Sequence, residues 1–205
     1  MKTNFTKEEL TNLLEAQDDL NKKYTGEDWR NVVPIQSFLT ASFTEVAEYL
    51  ESGPRVGNWK WWKSYEKNDT QNLIVEAIDV LHFNLSCLMK IATKEEIIEN
   101  DKPLEIDYLE ALSESLKITP QQVIIGTYCT FNEAVIKGDL DRANKYNNIL
   151  MLAFASQTGK TIDDFYSGYF KKNQLNHKRL AGGYMEGTYK KIDEDGNEDN
   201  RALDL

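Results

Sequence analysis

The stretch Gln71–Lys90, QNLIVEAIDVLHFNLSCLMK, decides the fold. Its apolar residues Leu73, Ile74, Val75, Ala77, Ile78, Val80, Leu81, Phe83, Leu85 and Leu88 fall on almost every side of a helix and leave no wide polar face. The pattern predicts a central, buried helix. Glu76 and Asp79 lie inside it three residues apart, so they project from one face on successive turns. Burying an ionised carboxylate without a partner costs on the order of several kcal/mol, so a cationic partner is expected beside them.

A second acidic pair lies upstream, in FLTASFTEVAEYLES at residues 38–52, where Glu45 and Glu48 repeat the spacing. Phe38, Leu39, Phe43, Val46, Ala47 and Leu50 give that segment its own helical pattern. Four carboxylates from two helices make an oxygen cage that suits magnesium bound together with a polyphosphate. An isolated ExxE is more often a solvated helix face, whereas the central helix offers no exposed face for its ExxD. The residues alone leave a metal site and a structural role both open.

The chain has 205 residues, 40% of them hydrophobic and 11% aromatic, enough for one substantial helical domain or two small ones. No fixed-period repeat and no linker composition divides it. The expectation is a single all-α domain over residues 1–205, with a flexible polar tail from about Gly182. A formal charge of -10 argues against a general nucleic-acid binder, though not against a nucleotide, whose phosphates a metal and a few cations can hold. Cys87 and Cys129 each sit in an apolar stretch and read as buried, reduced thiols. With no long uncharged apolar run and no signal-peptide core in MKTNFTKEELTN, the expected location is cytoplasmic, away from membranes.

Taken in order, Thr6 and Glu9 form a capping-box signature for a first helix to about Lys23. Gln17 and Asn21 share one of its faces, either as a solvated pair or as an amide cluster. A second helix runs from Pro34 to Gly53, with Trp29 and Trp59 in the irregular segments after the first two helices. Residues 55–70, RVGNWKWWKSYEKNDT, interleave Trp59, Trp61 and Trp62 with Lys60 and Lys63, which suits either a base-stacking and phosphate-binding loop or a hydrophobic cap. Further helices are predicted after Thr93, through Leu109–Leu116, from Pro120 to Lys137, from Asp139 to about Gln157, and from Thr161 to about Leu180. On the last, Tyr169, Lys172, Asn173, Asn176 and Arg179 form a basic, amide-rich stripe, a phosphate site or simply a solvated final turn.

In combination, LLEAQDDLN (13–21), TEVAEYLES (44–52), NWKWWK (58–63), EAIDVLHF (76–83) and KKNQLNHKRLAGGYMEGTYKK (171–191) resemble the dimeric all-α dUTPases. These belong to the wider all-α nucleoside triphosphate pyrophosphatases, with phage dCTPases among them. The last motif is the most specific, and residues 93–160 carry none, which suggests scaffold and dimer surface.

The resemblance implies that Glu45, Glu48, Glu76 and Asp79 hold two or more magnesium ions, with Glu45 or Glu48 orienting or deprotonating the attacking water. It implies that Gln17 and Asn21 read the uracil edge, that Trp29, Trp59 or Trp62 enclose the base, and that His82 and Asn84 line the deoxyribose pocket. Lys60, Lys63, Tyr169, Lys172, Asn173, Asn176, Arg179, Tyr184 and Lys191 are then expected at the phosphates. The implied activity is hydrolysis of dUTP, with dUDP, to dUMP by a homodimer. A dCTP-directed relative and a non-catalytic helical interaction protein are the competing readings.

Overall fold

A computed structural model describes residues 2–53, 62, 69–192, 194 and 196–205, the side chains at 106 and 118 excepted. Its helices are α1 Lys7–Thr25, α2 Trp29–Val32, α3 Ile35–Ser52, α4 Thr70–Ile91, α5 Lys94–Asn100, α6 Ile106–Ile118, α7 Pro120–Lys137, α8 Leu140–Thr158 and α9 Ile162–Ala181, followed by a 3₁₀ turn, Asp199–Ala202. The described residues contain no strand, only an isolated bridge between Ile192 and Glu198. The chain is all-α, as its periodicity predicts.

Local chemistry sets the boundaries. Thr6 with Glu9, Thr93 with Glu96 and Thr161 with Asp164 each form a complete capping box, satisfying helix N–H groups that have no intrahelical acceptor. Gly138 and Gly159 end α7 and α8 with φ of 68° and 69°, a left-handed conformation costly for any residue with a Cβ. The sequence places Trp29 in an irregular segment; it instead opens the four-residue helix α2.

Helix α4 is the hub, packing against α1, α3, α5, α7, α8 and α9. Val75, Ala77, Ile78, Val80, Leu81, Leu85, Cys87 and Leu88 are each at most 1% exposed, as expected for a helix apolar all round. Its principal neighbour is α3. Ser52 meets Asn72, Glu45 lies beside Glu76, and Ser42 donates to Asn84 at 2.9 Å. Numbers fall along one helix as they rise along the other, so α3 and α4 are antiparallel. Asn84 in turn donates to Asn147 of α8 at 3.0 Å, closing a buried polar link through the core.

Cys87 is buried as expected, but Cys129 is exposed, because it falls on the outward side of α7 between the core residues Tyr128 and Phe131. Beyond α9 the chain turns at Gly182–Gly187 and folds back. Gln71 donates to the carbonyls of Arg201 and Leu203, Arg201 pairs with Asp69, and Lys171 reaches the Asp204 carbonyl. No described helix is long and apolar enough to cross a membrane.

Candidate active site

The antiparallel packing of α3 on α4 brings carboxylates together. One oxygen each from Glu45, Glu76 and Asp79 can be chosen so that all lie within 4.8 Å of one another. Glu76 is 6% exposed. Burial and the Asp79 charge push Glu45 up to about 7 and Glu76 up to about 9. A carboxyl–carboxylate hydrogen bond joins the two, with Glu76 the proton holder. Glu48 is exposed and stands outside this cluster, though its charge reaches both glutamates. The all-oxygen donor set, and negative charge concentrated enough to retain protons, fit a hard divalent cation.

Across from the acids stand buried cations. Lys172 is 2% exposed, and its Nζ donates to Asp79 Oδ2 at 2.6 Å and to Asn200 Oδ1 at 2.9 Å. Arg179, one face along α9, grips Asp199 through Nε at 3.1 Å and Nη2 at 2.6 Å, and Nη2 also donates to Asn200 Oδ1 at 2.9 Å. Tyr189 donates to the same carboxylate at 2.8 Å. Burial pushes Asp199 up, but Arg179 and Tyr189 outweigh it and hold the carboxyl below its usual range. The solvated-stripe alternative for α9 does not hold, since Tyr169, Lys172, Asn173 and Arg179 are all buried.

At the other end, amides from α1 meet α4 and α9. Gln17 Nε2 donates to Asn21 Oδ1 at 3.0 Å and to Ser86 Oγ at 3.1 Å. Gln17 Oε1 accepts from the Tyr169 hydroxyl at 2.8 Å and pairs with His82 Nδ1 at 2.7 Å. Burial, then the Lys172 charge, hold His82 neutral, and because its Nδ1 partner is an amide oxygen, Nδ1 carries the proton and Nε2 is a bare acceptor. That Nε2 is buried without a protein partner. Tyr169 stacks on the His82 ring, centroids 4.0 Å apart.

These groups line one cavity of about 360 Å³, with Gln17, Asn21 and His82 sharing it with Glu45, Asp79, Lys172, Asn176, Arg179, Tyr184 and Lys191. Leu20, Tyr24, Phe38 and Phe83 supply its apolar wall. Lys191 sits over the Tyr184 ring at 5.1 Å.

Several expected contacts fall elsewhere. Trp29 is fully buried, packed edge-on against Phe38, and donates to Asp18 at 2.8 Å. It is a core residue and no part of the cavity wall. Asn84 is spent on Ser42 and Asn147 in the core and does not line the cavity. Asn173 donates to the Ala16 carbonyl and Tyr169 to Gln17, and neither lines the cavity. Trp62 is exposed and does not line the cavity. Trp59, Lys60 and Lys63 lie outside the described residues. Gln17 is buried, contrary to a surface pair, but both its amide protons and both its carbonyl lone pairs are already engaged. It orients Asn21 and His82 and offers nothing further to a base. Sequence reading missed Ser86, whose signal was its place one turn after His82 on a buried face, and Asp199 and Asn200, which no motif marks.

One cavity thus joins a carboxylate cluster and buried Lys and Arg at one end to fixed amides at the other. The family model described as dUTPase matches residues 9–184, well over half the chain. The chain belongs to that family, the all-α dUTPases, enzymes of deoxynucleotide pyrophosphatase type. No curated protein matches the chain in sequence.

Proposed function

We propose that the protein hydrolyses dUTP, and dUDP, to dUMP with magnesium. One observation supports this reading: Glu45, Asp79, Lys172 and Arg179 share a cavity with Asn21 and His82, so that one nucleotide would reach groups suited to phosphate and groups suited to a base. Glu45, Glu76 and Asp79 would hold the metal, with the charge of Glu48 adding to their field. Bound there, magnesium supplies Lewis-acid neutralisation of the phosphate charge.

The chain's own residues do the rest. Lys172 and Arg179 neutralise the polyphosphate, Arg179 by its paired N–H groups and Lys172 as a point charge. Glu45, which lines the cavity beside that cluster, would accept a proton from the attacking water. His82 Nε2 offers an acceptor for which uracil supplies N3–H, while cytosine presents only a lone pair at that atom. Asn21 retains one N–H and one lone pair for the base. Phe83, Phe38 and Leu20 exclude water around it.

We also infer a cytoplasmic homodimer, supported by exposed Phe43 on α3 and exposed Ile125 and Ile136 on α7. Release of pyrophosphate from dUTP and phosphate from dUDP, each with magnesium and with chelator, tests the activity. Turnover insensitive to chelator, or confined to other nucleotides, would contradict it.

A further inference from the structure

We infer that Ser86 is the positioning residue that fixes which pyrimidine edge the site accepts, an inference that rests on the nucleotide reading above. Its hydroxyl is fully buried and has one proton and two lone pairs. The proton goes to the His82 carbonyl at 3.1 Å, the ordinary back-bond of a helical serine. Both lone pairs therefore face donors: Gln17 Nε2 at 3.1 Å and Asn21 Nδ2 at 3.0 Å. Ser86 acts as an obligate acceptor, and no rotation of its hydroxyl can turn it into a donor toward α1 without abandoning the His82 carbonyl.

This settles the polarity of Asn21. Flipping its amide would set Oδ1 against the Ser86 lone pair and Nδ2 against Gln17 Nε2, exchanging two hydrogen bonds for two repulsions. Gln17 cannot follow, because Tyr169 and His82 both donate to its carbonyl oxygen. An amide can pair with uracil or cytosine, but only in opposite orientations, since N3 is a donor in one and an acceptor in the other. A locked amide therefore reads one base, and a free amide reads both.

The test is binding of dUMP, dCMP and dTMP by calorimetry to the wild type and to Ser86→Ala, with kcat/KM for the triphosphates measured beside it. Ser86→Ala is expected to shrink the dUMP-over-dCMP preference at least tenfold, equivalent to ~1.4 kcal/mol. The dUMP-over-dTMP ratio should stay fixed, because thymine presents the same edge and is distinguished only by its methyl. Ser86→Thr, which keeps the hydroxyl, should restore the preference. If Ser86→Ala does not fold, Ser86→Cys carries the same expectation, sulfur being a weak acceptor. An unchanged preference in a folded variant, or parallel gains for dCMP and dTMP, overturns the proposal. A wild type that prefers dCMP would sink the uracil reading alone, and Ser86 would still be judged by whether that preference shrinks.

A separate observation concerns the tail. Residues 169–191 carry six cationic side chains against one acid, and residues 192–205 carry six acids against one arginine. Within the acidic segment, Asp199 and Asn200 lie against the basic one, Asp199 taking the two N–H groups of Arg179 that a phosphate would take and Asn200 bridging Arg179 and Lys172. Arg201 on Asp69, the Gln71 bonds to the tail backbone, and Leu205 packed by Gly168 anchor it away from those cations. We propose that this segment is an autoinhibitory strap, a carboxylate standing in for phosphate, which polyphosphate displaces.

If the strap is docked nine-tenths of the time, it raises an apparent Kd by about tenfold. Asp199→Ala should therefore bind magnesium pyrophosphate about tenfold more tightly, and Arg201→Ala, which loosens the anchor without touching the cations, should shift it in the same direction. In the wild type, pyrophosphate should speed amide hydrogen exchange at residues 199–203. Unchanged or weaker binding in Asp199→Ala, with dUTP still hydrolysed, overturns the strap and leaves the activity standing. Absence of pyrophosphate binding and of nucleotide hydrolysis in every form would remove both.

Discussion

The two ends of the cavity are built differently. At the proposed base end, Gln17, Ser86, Tyr169 and His82 satisfy one another, and among their polar atoms only His82 Nε2 is left for a ligand. At the proposed phosphate end, carboxylates are crowded together, and Lys172 and Arg179 are each engaged by a carboxylate and an amide that a ligand must replace. The base end is preorganised. The phosphate end is a set of exchangeable ion pairs, where low solvent access makes each exchange consequential.

The sharpest way to break this contrast is Glu76→Gln. It keeps shape and replaces a proposed metal-ligating carboxyl with an amide that cannot ionise, so turnover should drop by about 10³-fold, a loss of ~4 kcal/mol in transition-state stabilisation, while the fold persists. Wild-type turnover from that variant would show the acids to be structural. Next in size is Arg179→Ala, expected to cost roughly 10²-fold in kcat/KM, consistent with losing a paired charged contact of ~3 kcal/mol, with the uracil preference intact. A changed base preference would mean that the two ends are not separable.

The acids also predict a pH dependence of stability. Glu45 and Glu76 hold protons to about 7 and about 9 in the folded protein, whereas an unfolded chain releases them above the ordinary value of 4.5. For these two groups the folded state then binds more protons, so their contribution to stability is fully present below 4.5 and is lost as pH rises through 7 to 9. Thermal melts in chelator should fall from pH 5 to pH 9. Magnesium should raise the melting temperature most at the alkaline end, and an effect equal at all pH values would contradict the shared-charge account. The smallest effect is expected from Trp29→Phe: about 1 kcal/mol of stability from the lost bond to Asp18, with KM unchanged, because the ring lies outside the cavity. A raised KM would return Trp29 to the base site.

Much of this was legible in the sequence. QNLIVEAIDVLHFNLSCLMK announced a buried central helix, and Thr6, Thr93 and Thr161 announced helix starts, because both signals are local. The ExxE and ExxD spacings placed Glu45, Glu76 and Asp79, but only packing between helices could separate Glu48 from them. Trp29 was misplaced because a tryptophan beside a candidate site looks the same whether it faces core or ligand. Asn84 and Tyr169 were misread for a related reason: a polar side chain declares its capacity for hydrogen bonds but not its partner. The strap was invisible because Asp199 and Asn200 meet Arg179 only after the chain reverses beyond Gly183, a long-range pairing with no periodic signature.

The most direct test of the account is cleavage of dUTP, dUDP, dCTP, dTTP and UTP, each assayed with magnesium and with chelator. The account predicts magnesium-dependent release of pyrophosphate from dUTP and phosphate from dUDP, with the other three left intact. Equal cleavage of dCTP would contradict the fixed base end, and no cleavage of any nucleotide would contradict the site as a whole.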